Sequence, residues 1–194
     1  MTRDRILAAA LDLVDREGGQ ALTMRNLGRE LQVEAMSLYH HVHNRADLLD
    51  GLADLLVTTG LPVAPADQPW EDALREFTIG IRRTARRHPA AFQLVGLRPL
   101  RSDPALRPVT ALLARLETAG LSATTAVAVY RLAAAYARGF ALAEIEGLTL
   151  AHPPTDPPGT SPALQAALRE PNDRVFTDAL QLILDSVRGS IAAR

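Results

Sequence analysis

The stretch 23–43, TMRNLGRELQVEAMSLYHHVH, constrains the fold more than any other part of the chain. It holds two helical patterns, one of about eight residues and one of about seven, separated by QVE. Helices this short have little stability of their own, because nucleation fixes several dihedrals for each hydrogen bond gained. They need a shared core. Leu27, Leu31, Val33, Leu38 and Val42 offer one at helical spacing, to be closed by the helix that precedes them. Gly28 falls where the two helices would cross, and a missing side chain lets backbones approach. The expected unit is a helix-turn-helix. With those positions inward, Arg25, Ala35, Met36, Ser37, Tyr39 and His41 are left on the outer side.

The rest of the chain reads as all-α. Thr2 caps a helix running to about Glu17, where Gly18-Gly19 stops it, and Thr23 starts the second. Asn44 caps a fourth helix, with Asp47 placed as the carboxylate half of a capping box. LPVAPADQP (61–69) is a proline-rich break and the natural domain boundary. Longer helices are expected over 70–87, from an Asp103-Pro104 start to about Thr118, from a Ser122 cap to about Leu148, and over 172–192. HPAAFQLVGLRPL reads as a broken segment, and AHPPTDPPGTSP (151–162) as a loop, with short helical turns from there to Arg169. The expected organisation is a helix-turn-helix domain over 1–45, a connecting helix over 46–60, and a larger helical bundle over 61–194.

Composition narrows the function classes. The 194 residues carry a net charge of −1, and all 21 basic residues are arginine. No cysteine is present, which excludes disulfides and thiolate chemistry. Acids interrupt the apolar run of the N-terminus, so neither a signal peptide nor a membrane span is expected, and the protein is assigned to the cytoplasm. No G-x-S-x-G, P-loop, G-x-G-x-x-G or H-E-x-x-H occurs, so no enzyme is expected.

A seven-residue helix with its outer face free fits the B-DNA major groove, about 12 Å wide. Ser37, Tyr39 and His41 can donate to phosphate oxygens, and Arg45 supplies a charge at the start of the next helix. Ala35 and Met36 offer apolar contact to thymine methyls, and Arg25 suits guanine or phosphate. The same residues also serve as plain surface, and helix-turn-helix geometry occurs in proteins that bind no DNA. Residues 1–50 hold six arginines against eight acids, so the domain is not basic overall.

ILAAALDLVDREGGQALTMRNLGRELQVEAMSLYHHVHNRADLLDGL resembles the N-terminal domain of the tetracycline-repressor (TetR) family of transcription regulators. SLYHHVHNRADLL carries the most specific part of the likeness, the family's L-Y-x-H-x-x-N-(K/R)-x-x-L-L pattern. The resemblance implies DNA contacts for Thr23, Arg25, Ser37, Tyr39, His41 and Arg45, with Ala35 and Met36 at base-reading positions. Two departures stand out. Met24 replaces a second threonine, and Gln32 occupies a turn position usually held by glycine, at about 1 kcal/mol of strain if φ is positive there.

The back half is expected to supply a dimer seam and a ligand pocket. Phe176, Ala179, Leu180, Ile183, Leu184, Val187 and Ile191 form a wide apolar face on the last helix, and RLAAAYARGFALAEIEG is rich in small residues. Both faces fit internal packing as well as a partner. The resemblance implies a homodimer joined by these two helices. Phe77, Phe92, Leu94, Tyr136 and Phe140 are candidate ligand walls, with Glu144 as a polar anchor, though each also reads as core or surface. GLRP (96–99) resembles an element of the tetracycline repressors proper, but Leu94 stands where those proteins hold magnesium through histidine. No metal, no cofactor and no metal–tetracycline recognition are expected. IRRTARRH (81–88) is expected to face water at a helix C-terminus. The reading is a one-component repressor, released from operator DNA by a hydrophobic small molecule. Its rival is a helical dimeric sensor of ligand or partner that binds no DNA specifically.

Overall fold

Side-chain caps and apolar stripes set the helices of the computed structural model, which describes residues 1–147 and 161–192. Helix α1 (Arg3–Glu17) starts where the Thr2 hydroxyl accepts the Arg5 N–H, and it stops at Gly18, whose φ is 82°. A 3₁₀ turn over Gly19–Ala21 leads to α2 (Met24–Glu30), capped by Thr23 through the Asn26 N–H. Helix α3 (Ala35–Leu38) is shorter than expected. Its α-helical part covers four residues, and Tyr39–His41 continue as turns. The seven-residue expectation is therefore corrected to one helical turn plus a turn.

Helix α4 (Arg45–Gly60) begins at Asn44, whose side chain accepts the Asp47 N–H at 2.9 Å. Asp47 does not close a capping box on Asn44. Its Oδ2 accepts the His43 N–H at 2.8 Å, one residue earlier, and its two oxygens take Arg3 at 2.6 and 3.1 Å. Arg3 also donates to the His41 carbonyl at 3.0 Å, so α1 pins the junction between α3 and α4.

Beyond the proline break come α5 (Trp70–Arg87), α6 (Pro89–Val95), α7 (Asp103–Thr118), α8 (Ala123–Ile145), α9 (Pro162–Leu168) and α10 (Asn172–Ala192). Two expectations are corrected here. The segment after His88 is a helix, α6, and the cap of α7 is Ser102 rather than Asp103. Helix α8 is described to Ile145, and most of the proline-rich loop (148–160) lies outside the described residues. Among the described residues there is no strand, and no helix is long and apolar enough to cross a membrane.

Two apolar clusters organise the chain. The front one joins α1, α2, α3 and α4 through Ile6, Leu13, Leu27, Leu38, Val42 and Leu52, all at most 2% exposed. Ala91 and Val95 of α6 belong to it as well. The back cluster joins α5, α7, α8 and α10, with α5 lying along α8. Phe92 of α6 belongs to the back cluster, so α6 touches both.

Candidate functional site

Gly28 is buried in α2, and a Cβ there would stand 2.9 Å from the Val33 carbonyl and 3.2 Å from the Ala35 amide. The turn into α3 packs directly on that bare backbone. Gln32 has a φ of 57°, the left-handed region that glycine adopts freely. Replacing it by glycine removes about 1 kcal/mol of strain, partly offset by a freer unfolded chain. A small rise in the urea midpoint is expected for Gln32→Gly. An unchanged or lower midpoint would show that glutamine is unstrained there.

On the outer side, Thr23, Arg25, Met36, Tyr39 and Arg45 are exposed, while Ala35, Ser37 and His41 are half-buried. Met36 is 74% exposed, high for a large apolar side chain with ordinary packing available. Thr23 already accepts the Asn26 N–H, and Ser37 donates its hydroxyl proton to the Glu34 carbonyl at 2.7 Å. A phosphate contact from Ser37 would therefore require that bond to open.

Ion pairing changes the charge seen from outside. Four of the eight acids over residues 1–50 are paired with arginine: Glu17 and Glu30 with Arg16, Asp47 with Arg3, and Asp50 with Arg98 and Arg101. Arg25 and Arg45 have no ion-pair partner among the described residues.

The hydrogen bond from Arg3 holds the Asp47 carboxyl well below the usual carboxylate range, helped by the His43 N–H and opposed by burial. A carboxyl depressed in the folded state stabilises it above the ordinary value near pH 3.9, and this is lost as pH falls below that. Thermal midpoints should therefore drop between about pH 5 and pH 2, and Arg3→Ala should make that drop shallower. Identical pH curves for both proteins, followed by circular dichroism, would remove Arg3 from the account.

The candidate pocket residues fall in three places. Phe77 and Phe92 line a mostly apolar cavity of ≈ 30 Å³, room for a water or two, walled by α4, α5, α6, α7 and α8. Ala53, Leu56, Val57, Ile81, Val95 and Val109 complete most of the wall, and the α4 members among them went unrecognised because their spacing reads as front-domain core. Leu94 departs from expectation. It packs against the front cluster, its methyls 3.6 Å from a Cβ position on Gly19, because the other side of α6 faces the cavity.

Tyr136, Phe140 and Glu144 lie apart from that cavity, in a cluster with Phe176 and Arg82. The rings of Tyr136 and Phe176 stack with centroids 5.2 Å apart, and Phe140 meets Phe176 edge-on. Arg82 is only 7% exposed, its guanidinium carbon 4.5 Å from the Phe176 ring centre. Glu144 takes Arg82 through both oxygens, at 2.6 and 2.7 Å, and Arg86 at 2.9 Å. Burial works to raise the Glu144 carboxyl, but the two guanidiniums outweigh it and hold it below its ordinary value. The polar anchor expected at Glu144 is thus engaged inside the protein. The expectation that the 81–88 arginines face water fails for Arg82, which this buried carboxylate draws inward. Burial, opposed by Arg82 and aided by Glu144, moves the Tyr136 phenol up to about 12, so it keeps its proton for the Phe176 carbonyl at 3.0 Å.

Ala53, Leu56 and Val95 belong both to the front core and to the cavity wall. Carboxylates on α4 tie it to the segment after α6. Asp50 pairs with Arg98 at 2.6 Å and Arg101 at 2.7 Å, while Asp54 accepts the N–H groups of Arg101 and Ser102 at 3.0 and 2.8 Å. His88 pairs with Asp15 of α1 at 2.5 Å. The front unit is mechanically joined to the walls of the cavity.

Residues 6–52 match the family described as bacterial regulatory proteins, tetR family, and residues 61–190 match the tetracyclin repressor-like C-terminal domain. An HTH-type transcriptional regulator of Saccharopolyspora erythraea is 35% identical over 145 residues, which is 74% of this chain and 61% of that protein. The chain therefore spans less than two thirds of that relative. Among solved structures, apo ActR from Streptomyces coelicolor superposes with a TM-score of 0.85 at 25% identity, covering 100% of this chain and 97% of that one. BioQ with its double-stranded DNA operator gives a TM-score of 0.68 at 26% identity, covering 96% and 98%.

Proposed function

The chain belongs to the tetracycline-repressor family, and on that premise we propose that it is a ligand-responsive transcription repressor acting as a cytoplasmic homodimer, without enzymatic activity of its own. Residues 1–45 bind operator DNA, 46–60 connect, and 61–194 hold ligand and partner. Each copy presents α3 and its following turn to one major groove. Arg25, Tyr39, His41 and Arg45 hold phosphates, with Thr23 and Ser37 beside them, and Ala35 and Met36 face base edges. BioQ was solved on its operator and ActR also with actinorhodin, which supports both halves of this reading for their relative here.

The observation that carries it is the shared wall. Ala53, Leu56 and Val95 pack into the DNA-binding unit on one side and line the cavity on the other. At ≈ 30 Å³ the cavity is too small for most organic ligands, so filling it must displace part of its wall, to which α4 and α6 both contribute. A hundredfold loss of DNA affinity needs a coupling of about 2.7 kcal/mol, and DNA must weaken the ligand by the same factor.

Fluorescence anisotropy tests the reading, with duplexes drawn from the DNA flanking the coding region and a scrambled control. Specific affinity about a thousandfold above the control, falling steeply with salt, is expected. Equal affinity for both duplexes would instead favour a sensor that does not read DNA.

A further inference from the structure

The cavity is lined mostly by apolar residues, with Arg98 and Arg138 as its charged members and Thr84 as a further polar one. Both also line an open groove outside, bounded by Leu97, Pro99, Leu106 and Tyr130, and Leu100 is common to the two spaces. Two arginines are thus shared between the cavity and the open groove. Arg138 is half-buried and has neither an ion-pair nor a hydrogen-bond partner among the described residues. A charge beside an apolar wall with no counter-charge among the described residues is open to an anion.

Arg98 is engaged, but in a way that allows exchange. It reaches Asp50 Oδ1 through Nε at 2.7 Å and a terminal nitrogen at 2.6 Å. Arg101 holds Asp50 Oδ2 at 2.7 Å. Asp50 would therefore keep a partner if Arg98 turned away, and no carboxylate would be stranded.

We propose that the ligand is an organic anion, an apolar ring-bearing body against Phe77 and Phe92 with its acidic group on Arg138 and Arg98, and that it acts by drawing Arg98 off Asp50. This rests on the regulator reading above and names the ligand class. Arg98 would also give up its 3.4 Å bond to the Ala46 carbonyl, which leaves Arg101 and the two N–H groups on Asp54 as the polar ties of α4 to the segment after α6. The other end of α4 carries Arg45 beside the DNA-facing turn, so a shift of α4 moves a phosphate contact.

Fluorescence titration of the intact protein with 1-anilinonaphthalene-8-sulfonate and its uncharged counterpart N-phenyl-1-naphthylamine tests this. The sulfonate should bind at least about tenfold more tightly, the advantage a charge-assisted hydrogen bond gives. Arg138→Gln should erase that preference while leaving the neutral probe and the melting temperature unchanged. Asp50→Asn, which releases Arg98, should tighten the sulfonate and weaken DNA binding without any probe. Equal binding of the two probes, or a preference that survives Arg138→Gln, would overturn the anion site. Specific DNA binding alongside that result would leave the regulator reading standing; loss of specific DNA binding with the sulfonate preference intact would overturn the regulator reading alone.

Discussion

Leu182→Arg should turn the proposed dimer into a monomer and lower operator affinity by at least about a hundredfold, because paired half-sites multiply phosphate contacts. Leu182 of α10 is 72% exposed and Leu132 of α8 is 54% exposed. Around them, Ala128, Ala135 and Gly139 on α8 and Val175, Ser186 and Gly189 on α10 are exposed too, at the three- and four-residue steps of a single stripe. Exposed leucines among small residues on two helices that pack together fit a surface that a partner helix can approach closely. The substituted residue touches no core, so the protomer should keep its helix content. Sedimentation velocity and anisotropy on one preparation decide the matter. A variant that stays dimeric, or a monomer with undiminished affinity, would remove this seam from the account.

Gly28→Val should abolish specific DNA binding through the turn. Even the first added carbon would meet the Val33 carbonyl at 2.9 Å and the Ala35 amide at 3.2 Å, and both are backbone atoms. Neither can rotate away as a side-chain tip would, so the turn must move and α3 with it. Overpacking of this kind costs about 1–3 kcal/mol. Because the back cluster is separate, most of the helical signal should persist while affinity falls by more than about a hundredfold. Full-strength binding by Gly28→Val would mean that the position of α3 is not set by this crossing.

Local rules made the front unit readable. Thr2, Thr23 and Asn44 are caps whose side chains bond within three residues, and Leu27, Leu38 and Val42 sit at spacings that leave one inward face. Gln32 signalled its positive φ through a turn position usually held by glycine. What escaped depends on distant partners. Arg82 and Glu144 meet across a sequence separation of 62 residues, which no helical period encodes. Leu94 turned toward the front because α6 is flanked on both sides, and a seven-residue helix gives too little pattern to say which side takes which residue. Much of the face assigned to the dimer on α10 is internal. Phe176, Leu180, Leu184 and Val187 are buried in the protomer, and the most exposed apolar residue there is Leu182, which lies on roughly the opposite face of the helix from that stripe. The charge count likewise carries no sign of pairing between the halves, where Asp50 of the front meets Arg98 and Arg101 of the back.

Selection of bound duplexes from a random pool, followed by sequencing, tests most directly whether two copies of α3 read successive major grooves. The account predicts an inverted repeat, with half-site centres about one helical turn or a whole multiple of it apart. A single asymmetric half-site, or no enrichment at all, would contradict it.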